Sequence, residues 1–156
     1  MNGQRCLILC ILLYALMASS ALAAPVSKIS AAELMHQMEN NKGKVLIVTF
    51  WATWCSPCVK EMPGLVSVRN EVPESEMQVL GISLDTSTQA VENFMQQHRI
   101  NFPICMDGGD VGSTFGVKSI PRTLIFSRSG EKVLDHLGFI SVESFRHVVE
   151  RVRRMP

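Results

Sequence analysis

Three things are scarce in this chain of 156 residues: net charge, cysteine outside one short stretch, and histidine or cysteine at metal-ligand spacing. The formal net charge is +1, and taking Arg5 away with an N-terminal leader leaves 14 of the 15 basic residues against 14 acidic ones. A neutral mature chain lacks the basic surface that nucleic-acid binding requires. Arg151, Arg153 and Arg154 are the one basic cluster, and they read as a helix terminus whose cations suit the dipole. Of the five cysteines, Cys6 and Cys10 fall in an apolar leader, which leaves Cys55, Cys58 and Cys105. Three are too few for a disulfide-dense scaffold, and one tight pair plus one isolated thiol points to redox chemistry at the pair. His36 has no partner at metal spacing, and neither do Asp85, His98, His136 and His147. Internal repeats, low-complexity tracts and interdomain linkers are absent too. Length and a 47% hydrophobic content suit one domain with a real core.

Residues 1–24 read as a secretory signal. Arg5 and the amino terminus supply positive charge, an apolar run follows, and Ala21-Leu22-Ala23 is a small-x-small cleavage site. Leu22-Ala23-Ala24 places the cut one residue later. The competing reading is an uncleaved anchor, but the stretch is barely long enough to span a bilayer and Ser19-Ser20 interrupts it. Cys10 comes before the run has developed, which argues against a lipoprotein cysteine. Export would place residues 25–156 in an oxidising compartment, where a reduced pair must be re-reduced by something.

Ser30-Ala31-Ala32-Glu33 is a capping box, with Ile29 and Leu34 placed as a hydrophobic staple. Ala31, Leu34, Met35 and Met38 form the apolar face of the helix that follows, and Asn40-Asn41-Lys42-Gly43 ends it. Residues 44–51 are nearly all apolar, as in a central strand covered on both faces. A helix over 56–70 has Pro57 in its first turn, where a missing N–H costs little, and Pro63 inside, where a kink is expected. A strand over 77–84, a helix over 86–99 and a short strand over 101–106 come next, then a helical turn at 111–115. Strands over 122–127 and 132–137 join across Arg128-Ser129-Gly130 as a hairpin, and Ser141 opens a last helix. This order predicts an α/β domain with a mixed sheet and helices on both faces.

The chemistry concentrates in Trp54-Cys55-Ser56-Pro57-Cys58, directly after the strand at 44–51. Cys55 should stand at a helix N-terminus, where unpaired N–H groups and the dipole favour a thiolate and depress its pKa. Cys58, one turn further in, is close enough to form a short-loop disulfide and release whatever Cys55 had attacked. Glu61 follows Cys58 by three residues on the same helix face. A carboxyl partly buried there should have a raised pKa and could exchange protons with Cys58; the plainer reading is a glutamate that complements the dipole. Trp51 reads as core and Trp54 as surface beside the nucleophile. Cys105 reads as a buried inert thiol. Met35, Met38 and Met95 occupy helical core positions, which argues against a copper-binding methionine cluster.

Phe50-Trp51-Ala52-Thr53-Trp54-Cys55-Ser56-Pro57-Cys58, then Glu61-Met62-Pro63, then Ile120-Pro121-Arg122-Thr123 resemble exported thioredoxin-like proteins of the TlpA/ResA type, which include reductases of cytochrome c maturation. The resemblance implies a thioredoxin fold over about residue 30 to the C-terminus, and dithiol/disulfide exchange with Cys55 attacking and Cys58 resolving. Pro121 matches the proline that is cis in thioredoxins and faces the pair, and Ile120 would offer its backbone to an extended substrate chain. Trp54, Ser56 and Pro57 would complete the surface met by the client. The buried strand aspartate of thioredoxins proper falls at Thr49, which cannot ionise, and this favours the branch using Glu61. The resemblance further implies a periplasmic protein, anchored in the inner membrane if the leader is kept. It would act as a monomer on client disulfides such as those of apocytochrome c, with a membrane thiol reductase as electron donor. It would need no cofactor or metal beyond the redox-active Cys55–Cys58 disulfide. Two other readings compete: net disulfide oxidation or isomerisation, which the Ser-Pro dipeptide does not settle, and a Cu(I) chaperone using the two thiolates. A peroxidase of the related fold fits the pair's spacing less well.

Overall fold

A computed structural model describes residues 26–155; the leader expected at 1–24 lies outside the described residues. The elements are β1 (Lys28–Ile29), α1 (Ala31–Asn40), β2 (Val45–Trp51), α2 (Ser56–Glu71), β3 (Met77–Ser83), α3 (Thr88–Gln97), β4 (Ile104–Asp107), α4 (Val111–Thr114), β5 (Arg122–Phe126), β6 (Lys132–Leu137) and α5 (Val142–Arg153). The described strands form one sheet in the order β1-β4-β3-β2-β5-β6. The first four lie parallel, and β5 and β6 add an antiparallel hairpin against β2. Helical crossovers produce the parallel part, and the turn at Arg128-Ser129-Gly130 produces the antiparallel one, as the element order predicts.

All seven residues of β2 are buried, because both of its faces are covered. Its period-2 side chains divide between two cores. Val45, Ile47 and Trp51 pack with Met62, Leu65, Phe145 and Val149, beneath α2 and α5. Leu46, Val48 and Phe50 pack with Leu34, Val111 and Leu124, beneath α1 and α4. The capping box at Ser30 and Glu33 forms as expected. α2 runs on through Pro63 to Glu71 without a break.

Three expectations change. β1 was not foreseen: a two-residue strand carries no periodicity, and only its pairing with Met106 and Asp107 defines it. β4 begins at Ile104 rather than 101, since Pro103 has no N–H to give to a ladder. Met35, inward by the helical pattern, is 50% exposed; the buried stripe of α1 is the narrow one of Ala31 and Leu34, and Met35 lines a surface cleft with Met38, Leu46 and Phe126.

Candidate active site

β2 delivers the chain to Trp51, and the turn 52–54 brings Cys55 to the N-cap of α2. The Cys55 Sγ accepts a hydrogen bond from the Cys58 backbone N–H at 3.3 Å. That N–H is one of the orphan donors of a helix start, so the same geometry favours a thiolate when the pair is reduced. Pro57 sits in the first turn, where its missing N–H leaves no unpaired donor. The two sulfurs are joined as a disulfide, with the Cα atoms 5.2 Å apart. Cys58 is 1% exposed and Cys55 6%, so the Cys58 sulfur is the more deeply covered. Ser56 and Pro57 are exposed, and Trp54 stands out beside Cys55, as read from the sequence. Trp51 lies in the core against Phe94, with ring centroids 4.9 Å apart.

Glu61, one turn beyond Cys58, is buried. Its Oε2 accepts a hydrogen bond from the Ile140 N–H at 2.7 Å, and its Oε1 lies 3.4 Å from the Thr123 hydroxyl. Loss of water pushes its pKa up to about 7, although both hydrogen bonds pull the other way. Thr49 and Thr123, cross-strand partners between β2 and β5, sit beside it and carry no charge. The plain dipole-complementing reading of Glu61 does not hold, because the carboxyl is inside the domain and not on the solvated helix rim.

The Ile120–Pro121 peptide bond is cis. Arg122, the next residue, pairs with Phe50 in β2, so Pro121 lies at the sheet end from which Cys55 emerges. Ile120 is half-buried and packs against both cores. Cys55, Cys58, Trp54, Ser56, Pro57, Ile120 and Pro121 therefore gather at one end of the sheet, with Glu61 beneath them.

Sequence reasoning missed Asp85. It stands just past β3 and is buried. It accepts hydrogen bonds from the Thr53 N–H at 2.9 Å, the Thr53 hydroxyl at 2.6 Å and the Ser83 hydroxyl at 2.7 Å. These bonds hold the turn that carries Cys55 onto the neighbouring strand. The available signal was an acidic residue two positions past the end of a strand that neighbours the one leading to Cys55, a position no spacing rule for ligands would find. Cys105 needs correction as well: it is half-buried, not sealed, and lines a cleft with Ser27, Lys28, Glu33 and His36. Burial still raises the thiol's pKa. Among the described residues no group of three or more His, Cys, Asp or Glu side chains is placed to hold a metal ion, and no helix is long and apolar enough to cross a membrane.

The family model described as AhpC/TSA matches residues 24–133. The chain belongs to the AhpC/TSA family. It is ResA-like within that family: it is 28% identical over 117 residues to the thiol-disulfide oxidoreductase ResA of Bacillus thuringiensis subsp. konkukian, covering 74% of this chain and 68% of that protein. The fold is thioredoxin-like. A thiol:disulfide interchange protein of the thioredoxin family from Chlorobium tepidum superposes with a TM-score of 0.69 at 27% identity, over 74% of this chain and 83% of the other. StoA from Bacillus subtilis does so with a TM-score of 0.62 at 28% identity, over 69% and 83%. This ResA-like chain is thus a thiol-disulfide oxidoreductase with Cys55–Cys58 as its cysteine pair.

Proposed function

We propose that the protein is an exported protein-disulfide reductase, with residues 1–24 as the export signal and 25–156 as the working domain. One observation carries the reading: the Cys55 sulfur sits on an orphan N–H of a helix start, bonded to Cys58 and above a buried Glu61. In the reduced protein the Cys55 thiolate attacks one sulfur of a client disulfide. That S–S bond breaks, a mixed disulfide forms, and the client's first thiolate leaves and takes up a proton. Cys58 gives its proton to the Glu61 carboxylate, attacks the Cys55 sulfur and expels the second client thiolate. Two electrons have passed to the client, and the pair is again a disulfide. A carboxyl with a pKa near 7 suits this task, since it can hold or release the proton at neutral pH. Exposed Trp54, Ser56 and Pro57 and half-buried Ile120 form the surface the client meets, with Pro121 buried behind Ile120. By likeness to cytochrome c maturation reductases, the client is a periplasmic protein such as apocytochrome c. The donor is then a membrane thiol reductase.

Cys58→Ser leaves the mixed disulfide unresolved, so clients should be recovered from cells joined to Cys55. A glutathione titration of the pair fixes the direction. A potential toward that of thioredoxin, about −270 mV, is expected, whereas a value near the strong oxidants, about −120 mV, would make the protein an oxidase.

A further inference from the structure

Among the described residues four large apolar side chains stand exposed: Met35, Trp54, Leu137 and Phe139. Exposed apolar residues scattered singly need no explanation, but three of these gather at the disulfide end. Trp54 directly precedes Cys55. Leu137 pairs with Arg122, the residue after Pro121, and Phe139 lies two positions further on.

Phe139 is held to the site from both sides. Its neighbour Gly138 donates its N–H to the Pro121 carbonyl at 2.8 Å. Its other neighbour, Ile140, is buried and donates its N–H to Glu61 Oε2 at 2.7 Å. Gly138 has φ 103°, where a side chain would be strained, so the turn that presents Phe139 depends on glycine. The Phe139 ring belongs to neither core and is 50% exposed. An aromatic ring on an anchored backbone gives contact area at little entropic cost when something covers it.

The observations also indicate what covers it. Neither backbone group of Ile120 is paired with another backbone group of the described residues. A free N–H and C=O beside a sheet end is what an extended segment pairs with. Trp54 directly precedes Cys55, and Phe139 is tied through Gly138 to Pro121, so both rings stand on the loops that border such a segment.

We propose that Phe139 is a specificity-determining residue, selecting extended client segments that carry a large apolar side chain next to the cysteine under attack. The proposal rests on the exchange chemistry assigned to Cys55–Cys58, in either redox direction.

The test uses two short disulfide-looped peptides that differ only in leucine or serine beside one cysteine. Reduced protein is assayed against both, and the reading is the ratio of the two kcat/KM values within each variant, so that a general loss of activity cancels. The wild type should prefer the leucine peptide by about tenfold, a difference suited to covering one apolar side chain. Phe139→Ser should bring the ratio to within about twofold of unity, and Phe139→Leu should keep most of the preference. A wild type without preference, or a Phe139→Ser variant that keeps the wild-type ratio, overturns the proposal. Hydroxyethyl disulfide separates the two levels. A wild type that reduces it but ignores the peptide difference sinks only the role of Phe139. A wild type that exchanges with neither peptide nor hydroxyethyl disulfide sinks the underlying chemistry and the proposal with it.

Discussion

Among the described residues cysteine occurs in two settings, and each has a glutamate close by. Cys55 caps α2, and Glu61 lies buried a turn beyond its partner Cys58, with a pKa pushed up to about 7 by loss of water. Cys105 lies within β4, and Glu33 is near enough for its charge to add to the burial that raises the thiol's pKa. Glu33 itself is held below the usual carboxylate range by its hydrogen bonds from the Ser30 backbone and side chain, as half of a capping box. The residue types are the same and the outcomes opposite. A strand offers no row of orphan N–H groups to a thiolate, and a helix start does. A carboxyl inside the domain can carry a proton at neutral pH, whereas one committed to a helix cap stays charged. Reactivity here follows from position relative to a helix end and to water.

The largest expected effect that would test this contrast is at Glu61. Its folded pKa of about 7 lies above the usual 4.5, so between these values the folded chain keeps a proton that the unfolded chain has lost. Stability should therefore be full below the unfolded pKa and fall as pH rises through about 7, by about 3 kcal/mol in all. Urea unfolding of the oxidised protein at acid and at mildly alkaline pH measures this slope, and Glu61→Gln should remove it. Parallel slopes in both proteins would break the contrast. Glu33→Gln sharpens it, because a lowered pKa acts with the opposite sign and adds stability that is lost as pH falls.

A smaller effect separates the thiols themselves. In the reduced protein at pH 7, iodoacetamide should alkylate Cys55 about 50-fold faster than Cys105, as a thiolate held on an N–H against a thiol kept protonated by burial. Peptide mapping of the labelled protein gives the ratio, and equal rates would refute the assignment of the nucleophile. The smallest effect expected is that of Cys105→Ser on exchange. Client reduction should stay within about twofold of the wild type, since Cys105 lies two strands from β2 and shares no partner with the pair. A larger loss would show that the two sulfur sites are coupled.

Much of this was legible in the chain itself. The apolar run of β2, the capping box at Ser30, the hairpin turn and the cysteine pair are local patterns, and each formed where its pattern predicts. The misses share a cause. Asp85 matters through bonds to Thr53, 32 residues away. β1 is too short to carry a period, and the exposure of Met35 depends on how much of α1 the sheet covers.

Order of elements, the helix start beneath Cys55 and the short spacing to Cys58 were settled by the amino-acid sequence, because backbone propensities and dipoles act over a few residues. How fully Glu61 lost its water, which loop closed over it, and that Pro121 and the loop of Phe139 share the sheet end from which Cys55 emerges were decided only when the sheet brought distant strand ends together. Burial and desolvation belong to the assembled fold, and no stretch of chain carries them alone.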